Sequence, residues 1–318
     1  MVPGRRVALT PVDAEHRLRP VEYLVGGYLV ITSVLAVIRL ESQPACAWVL
    51  AGNALYFLLI ALFVREELGP IGKGLREIFP LVLLTSTYGA LDVLNNFGAV
   101  PTHDQWAMHA DQILFGGQIS RAWWQAHPSR FLSTVFHASY FAYYPIVALP
   151  VLYFLFAGRT EACRRSVLWL TATFLGCYLL FLALPVAGPY YEFPRPDPVI
   201  MDNLMARLVY ATLAKGSSYG AAFPSSHVAA AIVAVVAGFL GARWIGWTLT
   251  VPSILLCLGV VYCQMHYGVD ALAGGAVALI VTGLGWWAER GRQEKESRTE
   301  GRHRASQSVL DSNLSPQS

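Results

Sequence analysis

The chain is 318 residues long, 55% hydrophobic and only 14% charged, with a formal net charge of +3. Soluble domains of this length are less apolar and carry about 25% charged residues, so most of this chain has lipid as its solvent. A soluble globular protein is excluded, and the expected partners are membrane lipids and not nucleic acid.

Residues 1–20 form an N-terminal tail carrying Arg5, Arg6, Arg17 and Arg19. The apolar run behind it ends at Arg39 and Glu41 without a small-residue cleavage site, so it reads as a membrane span and not as a signal peptide. Runs near the ~20 residues needed to cross a bilayer lie at Tyr23–Ile38, Cys46–Val64, Phe79–Leu94, Phe131–Ala157, Val167–Ala187, Ser225–Ala242, Trp244–Cys263 and Val269–Ala288. They predict an all-α, polytopic transmembrane helix bundle of about eight spans, in one membrane domain from 21 to 289. With the N-terminus inside, only six of the 23 Lys and Arg residues fall on the outer side: Arg39, Arg121, Arg130, Arg195, Arg207 and Lys215. This asymmetry follows the positive-inside rule and predicts that both termini are cytoplasmic. Residues 290–318 mix charge and Ser with little apolar content, which predicts a disordered cytoplasmic tail.

Two outer connections are long enough to build a site. In Asn95–Arg130 the aromatic and apolar residues predict an interfacial helix with Trp106, Trp123 and Trp124 in the headgroup belt. In Gly188–Pro224, four prolines (Pro189, Pro194, Pro196, Pro198) preclude a regular helix in that stretch, so its backbone must be buried in protein or face water. The five cysteines (Cys46, Cys163, Cys177, Cys257, Cys263) show no C-x-x-C or regular spacing and are assigned ordinary packing roles.

Two motifs carry chemistry. FPSSHVAAA, residues 223–231, puts Ser225 or Ser226 at the N-cap of the sixth span, with His227 in its first turn. Free N–H groups at such a helix start attract anions, phosphate above all. QMHYGVDALAGG places Asp270 four residues after His266, on one face if the segment is helical. A carboxylate there fixes the imidazole tautomer and steadies the cation formed on reaction. The topology brings His227, His266 and Asp270 to the same outer edge. Two histidines beside a phosphate-binding helix end suit nucleophilic phosphoryl transfer: one attacks phosphorus, the other protonates the departing oxygen. This scheme needs no metal or cofactor. Two His and one Asp would also make a facial triad, a reading opposed by the Ser-rich helix mouth and neighbouring arginines.

GAAFPSSHVAA and HYGVDALAG resemble the second and third signature motifs of the type 2 phosphatidic acid phosphatase superfamily, in correct order and each opening an apolar span. The resemblance covers about 79–288 and implies a six-helix catalytic core, with two additional N-terminal spans. It implies His266 as nucleophile, Asp270 as its orienter, His227 as general acid, and Ser225 and Ser226 as phosphate binders. The superfamily's first motif, K-x6-R-P, is only half present: Arg195-Pro196 stands, but Gly188 occupies the Lys position. Arg195 is the phosphate-neutralising candidate, with Lys215 or Arg207 as substitutes. DQILFGG (111–117) and HASYFAYYP (137–145) are similar to segments of the inositol phosphorylceramide synthase branch, which tilts the expectation from hydrolysis toward transfer between membrane lipids. His137, Tyr144 and Asp111 are the further substrate-contact candidates. The rival reading is a transporter or scaffold using the His/Asp cluster as a proton relay.

Overall fold

The computed structural model describes residues 17–65 and 68–314; the N-terminal tail through residue 16 lies outside them. Among the described residues the chain is helical, and its paired extended backbone is one isolated bridge between Val186 and Ala221. The bundle is built from α1 (Pro20–Arg39), α2 (Cys46–Arg65), α3 (Pro70–Leu94), then the interfacial helices α4 (Asp104–Phe115) and α5 (Ile119–Ala126). It continues through α6 (Arg130–Phe141), α7 (Tyr143–Phe156), α8 (Thr160–Ala183), α9 (Leu204–Gly216), α10 (Ser226–Gly241), α11 (Arg243–Tyr262) and α12 (Gly268–Leu314). Seven segments have the length and hydropathy of a membrane span, α6 and α7 together supplying one of them.

The eighth apolar segment, α10, has only 16 residues, about 24 Å at 1.5 Å per residue. Its position explains why it can be short. It packs against α7, α8, α11 and α12, and Ala229, Ala230, Ala231, Val233 and Ala234 are fully buried. Small side chains let neighbouring helices close in: a Cβ at Gly238 would stand 3.1 Å from the Gly246 nitrogen of α11. The fourth apolar run, continuous in sequence, breaks at Ala142 between α6 and α7. Pro145 has no N–H to offer the Phe141 carbonyl, and the break sets Tyr140 and Tyr143 on either side of the step.

The connections depart from expectation in three places. The stretch after the prolines forms α9, whose N-cap Asn203 accepts the Ala206 N–H through Oδ1 at 2.9 Å. The single interfacial helix is two helices, separated at Gly116 with φ 75, where glycine relieves the left-handed conformation. Trp106 is exposed as expected, but Trp124 is only 4% exposed and belongs to the core, while Ile113, Leu114 and Phe115 supply the exposed apolar face. Finally, α12 continues helical to Leu314, through most of the tail expected to be disordered. Its Glu, Arg, Gln and Ala residues are good helix formers.

Candidate active site

α11 ends at Tyr262, and just beyond its C-cap Gln264 adopts φ 60 and is held by its own Nε2 donating to the Pro194 carbonyl at 3.0 Å. That left-handed residue turns the chain so that the N–H groups of both Met265 and His266 donate to Val260 O, at 3.0 and 2.9 Å. His266 is thereby fixed just before α12 begins, and only 5% of it is exposed. Its Nδ1 lies 3.0 Å from the Ala222 carbonyl and 3.4 Å from Asp270 Oδ2. A backbone carbonyl can only accept, so Nδ1 carries the proton and Nε2 keeps its lone pair. Burial lowers the His266 pKa to about 4, against the opposing pull of the Ala222 bond. The ring is therefore the free base at neutral pH.

Asp270 sits behind this histidine, fully buried. Its Oδ2 also accepts the Tyr267 N–H at 2.9 Å, while Oδ1 has no partner. The two motifs are joined through the backbone: Ser225 N–H donates to the Asp270 carbonyl at 2.9 Å. Gly274 permits this approach, since a Cβ there would lie 2.4 Å from Ser225 O. Ser225 is the N-cap of α10, its Oγ accepting from Val228 N–H at 3.4 Å. In the first turn the Ser226 and His227 N–H groups take no acceptor among the described residues, so they remain available to an anion.

His227 faces His266 with ring centroids 5.7 Å apart. Tyr140 stacks on it at 4.9 Å and Tyr143 lies at 4.4 Å, one from each side of the α6–α7 break. Its Nδ1 is buried and unpartnered.

Both histidines line a cavity of about 430 Å³ that is walled mainly by aromatic and aliphatic side chains, among them Tyr88, Phe174, Tyr178 and Tyr190. Of the residues expected from the sequence, His266, His227, Ser226 and Tyr144 reach the lining. Ser225 and Asp270 stand directly behind it. Arg195 is not among the lining residues: it is exposed, donates to the carbonyl of Tyr190 at 2.8 Å, and lies 3.6 Å over the Tyr190 ring. His137 is fully buried away from the cavity, its Nδ1 2.8 Å from Ser133 O. Asp111 is also outside the cavity; it accepts the first N–H groups of α12. Arg207 pairs with Asp202 on the surface at 3.3 Å, and the Lys215 side chain is outside the described residues. Among the described residues no three His, Cys, Asp or Glu side chains converge as metal ligands would.

Gly188, the position expected to hold a lysine, has φ 95, and a Cβ there would meet the Ala222 Cβ at 2.9 Å. Glycine suits this backbone and this close approach. Sequence inspection missed the Ala222 carbonyl, the two tyrosines against His227 and the clamp made by Asp104, whose carboxylate accepts the Ala187 and Gly188 N–H groups at 2.9 and 2.8 Å. The DQ spacing in which Asp104 and Asp111 both occur, seven residues apart in THDQWAMHADQ, was the available signal.

No curated protein and no solved structure matches the chain at a significant level. The family pattern described as PAP2 superfamily matches residues 106–284, a segment that holds both motifs and every residue of the His–His–Asp group. The chain belongs to the PAP2 superfamily, whose members are phosphatases and phosphotransferases.

Proposed function

We propose that this membrane protein transfers a phosphoryl or phospho-headgroup from a lipid, using His266 as the nucleophile. The observation that carries the reading is the state of His266: Nδ1 is engaged by Ala222 O and Asp270, leaving the Nε2 lone pair at a cavity it shares with His227. In the first step Nε2 attacks phosphorus, the phosphorus–oxygen bond to the leaving group breaks, and His227 gives that oxygen its proton. In the second step His227 takes a proton from the acceptor hydroxyl, which attacks the phosphohistidine and frees Nε2. Asp270 steadies the imidazolium formed in between. Ser226, the open N–H groups of α10 and Arg195, which lies over the lining residue Tyr190, are the groups assigned to the phosphate oxygens. The scheme requires no metal.

A lipid substrate fits the walls. Thr85 and Tyr144, on α3 and α7, line the cavity and are both exposed on the bundle's flank, which supports access from the bilayer. With the sidedness read from the loop charges, the cavity lies on the non-cytoplasmic face. Water as acceptor makes the protein a lipid phosphate phosphatase; a lipid or polyol hydroxyl makes it a transferase of the inositolphosphotransferase kind, toward which the 111–117 and 137–145 segments tilt.

The test uses purified protein in detergent with a lipid phosphate or phosphatidylinositol, with and without ceramide or diacylglycerol, following free phosphate and new phospholipid together. Phosphate release abolished in His266→Ala is the phosphatase outcome; acceptor-dependent phospholipid abolished in His266→Ala is the transferase outcome. Turnover unchanged in His266→Ala removes His266 from the mechanism.

A further inference from the structure

The interfacial helix α4 contributes no residue to the cavity, yet it carries two buried carboxylates on one face. Asp104 and Asp111 are seven residues apart, two helical turns, and are 4% and 0% exposed. Neither is paired with a cation among the described residues. Each instead accepts backbone N–H groups from a segment that carries the site.

Asp111 Oδ2 accepts from Gly268 N–H at 3.0 Å and Oδ1 from Val269 N–H at 2.7 Å, the first two residues of α12. The helix start is drawn tightly onto α4, because a Cβ at Gly268 would lie 2.4 Å from the Phe115 ring. Asp104 accepts from Ala187 N–H and Gly188 N–H, and its Oδ1 also accepts the Tyr267 hydroxyl at 3.1 Å. The segment it grips, 186–188, pairs with 220–222: Val186 N–H donates to Gly220 O at 3.1 Å and Ala222 N–H to Val186 O at 2.9 Å. Ala222 then offers its own carbonyl to His266 Nδ1. One carboxylate therefore anchors the residues just after His266, and the other anchors both Tyr267 and segment 186–188, which pairs with the segment that carries the Ala222 acceptor for the His266 ring.

We propose that Asp104 and Asp111 are positioning residues that hold His266 in its attacking orientation, a role that rests on His266 being the nucleophile. Burial raises the Asp111 pKa while its two N–H bonds lower it, and accepting both bonds at once uses both carboxylate oxygens. The sequence expectation that Asp111 touches substrate is replaced by this indirect role.

Asp104→Asn and Asp111→Asn test it, each keeping the shape but turning one acceptor into an NH₂ group that opposes a backbone N–H. A reacting group displaced by about 1 Å loses on the order of 10²-fold in rate. The expected result is a kcat loss of that order in each variant with KM unchanged, and no additional loss when either is combined with His266→Ala. Asp104→Glu and Asp111→Glu, which restore a carboxylate, are expected to recover part of the kcat relative to the alanine variants at the same positions. If an asparagine variant does not fold, the glutamate and alanine pair at that position is read in its place, by the same kcat–KM split. Full kcat in folded variants overturns the proposal, and a raised KM with kcat retained returns these residues to substrate contact. The His266→Ala control separates the two levels: if it stays active the nucleophile assignment fails, whereas if it is dead and the Asp variants are fully active only the positioning role fails.

Discussion

The two ends of this bundle bury the same kinds of group and treat them oppositely. At the end where α1, α3 and α8 begin, Glu22 pairs with Arg76 at 2.8 Å, with the two side chains 0% and 3% exposed. Glu77 beside it takes Arg164 at 2.8 Å and Arg19 at 3.0 Å, and Glu22 Oε2 also closes the N-terminus of α1 by accepting Arg19 N–H at 2.7 Å. At the other end Asp104, Asp111 and Asp270 face no Lys or Arg side chain among the described residues, only the neutral His266 beside Asp270, and accept backbone N–H groups. There too, Asp270 Oδ1 and His227 Nδ1 are left without partners. A buried polar atom without a partner is costly, and a cluster of such atoms beside a cavity is where a protein forgoes stability for chemistry. The paired end holds the helices together; the unpaired end is the one the proposed reaction uses.

Substitutions at the two ends should therefore separate activity from stability. The largest expected effect is His266→Ala, which should reduce turnover to background while leaving the melting temperature in detergent near that of the parent. His227→Gln should lower kcat by about 10²–10⁴-fold, the usual worth of general acid help. Most of that loss should disappear with a substrate whose leaving group needs no proton, such as a nitrophenyl ester; an equal loss with both substrates would break the assignment. At the opposite end, Glu22→Gln should leave kcat per folded molecule intact but destabilise by about 3–5 kcal/mol, because it removes the carboxylate of a buried ion pair. Thermal unfolding followed beside single-turnover rates reads both quantities. Ser225→Ala, at the seam between the two motifs, should cost about 0.5–2 kcal/mol as a lost N-cap.

The pH profile sharpens the same contrast. His266 must be unprotonated to attack, and burial sets its pKa at about 4. The kcat/KM of the free enzyme should thus hold as pH falls through 6 and decline only toward that value. An acid limb already falling near pH 6.5 would mean that His266 is solvated and not buried.

Much of this was legible in the sequence. Hydropathy found every span because a bilayer demands a long uninterrupted apolar run, and the spans met their observed ends within a few residues except in α3, α8 and α12, which extend past their apolar parts. His227, His266 and Asp270 were legible because each sits at the start of an apolar run, where polar residues are conspicuous. The Ala222 carbonyl was not, since any residue has a carbonyl and only the pairing of 186 with 221 aims this one. Asp104 was not, because its hydroxyl partner Tyr267 is 163 residues away. Trp124 was placed at the headgroups because tryptophan favours both interfaces and cores, and only packing against neighbours decides between them.

The measurement that tests the central claim most directly is capture of the covalent intermediate. Protein mixed with a lipid labelled at phosphorus and quenched in alkali, where phosphohistidine survives, should carry label on the peptide containing His266. The label should chase into product when acceptor is added and be absent from His266→Ala. Label on any other residue, or undiminished turnover in His266→Ala, would contradict the account.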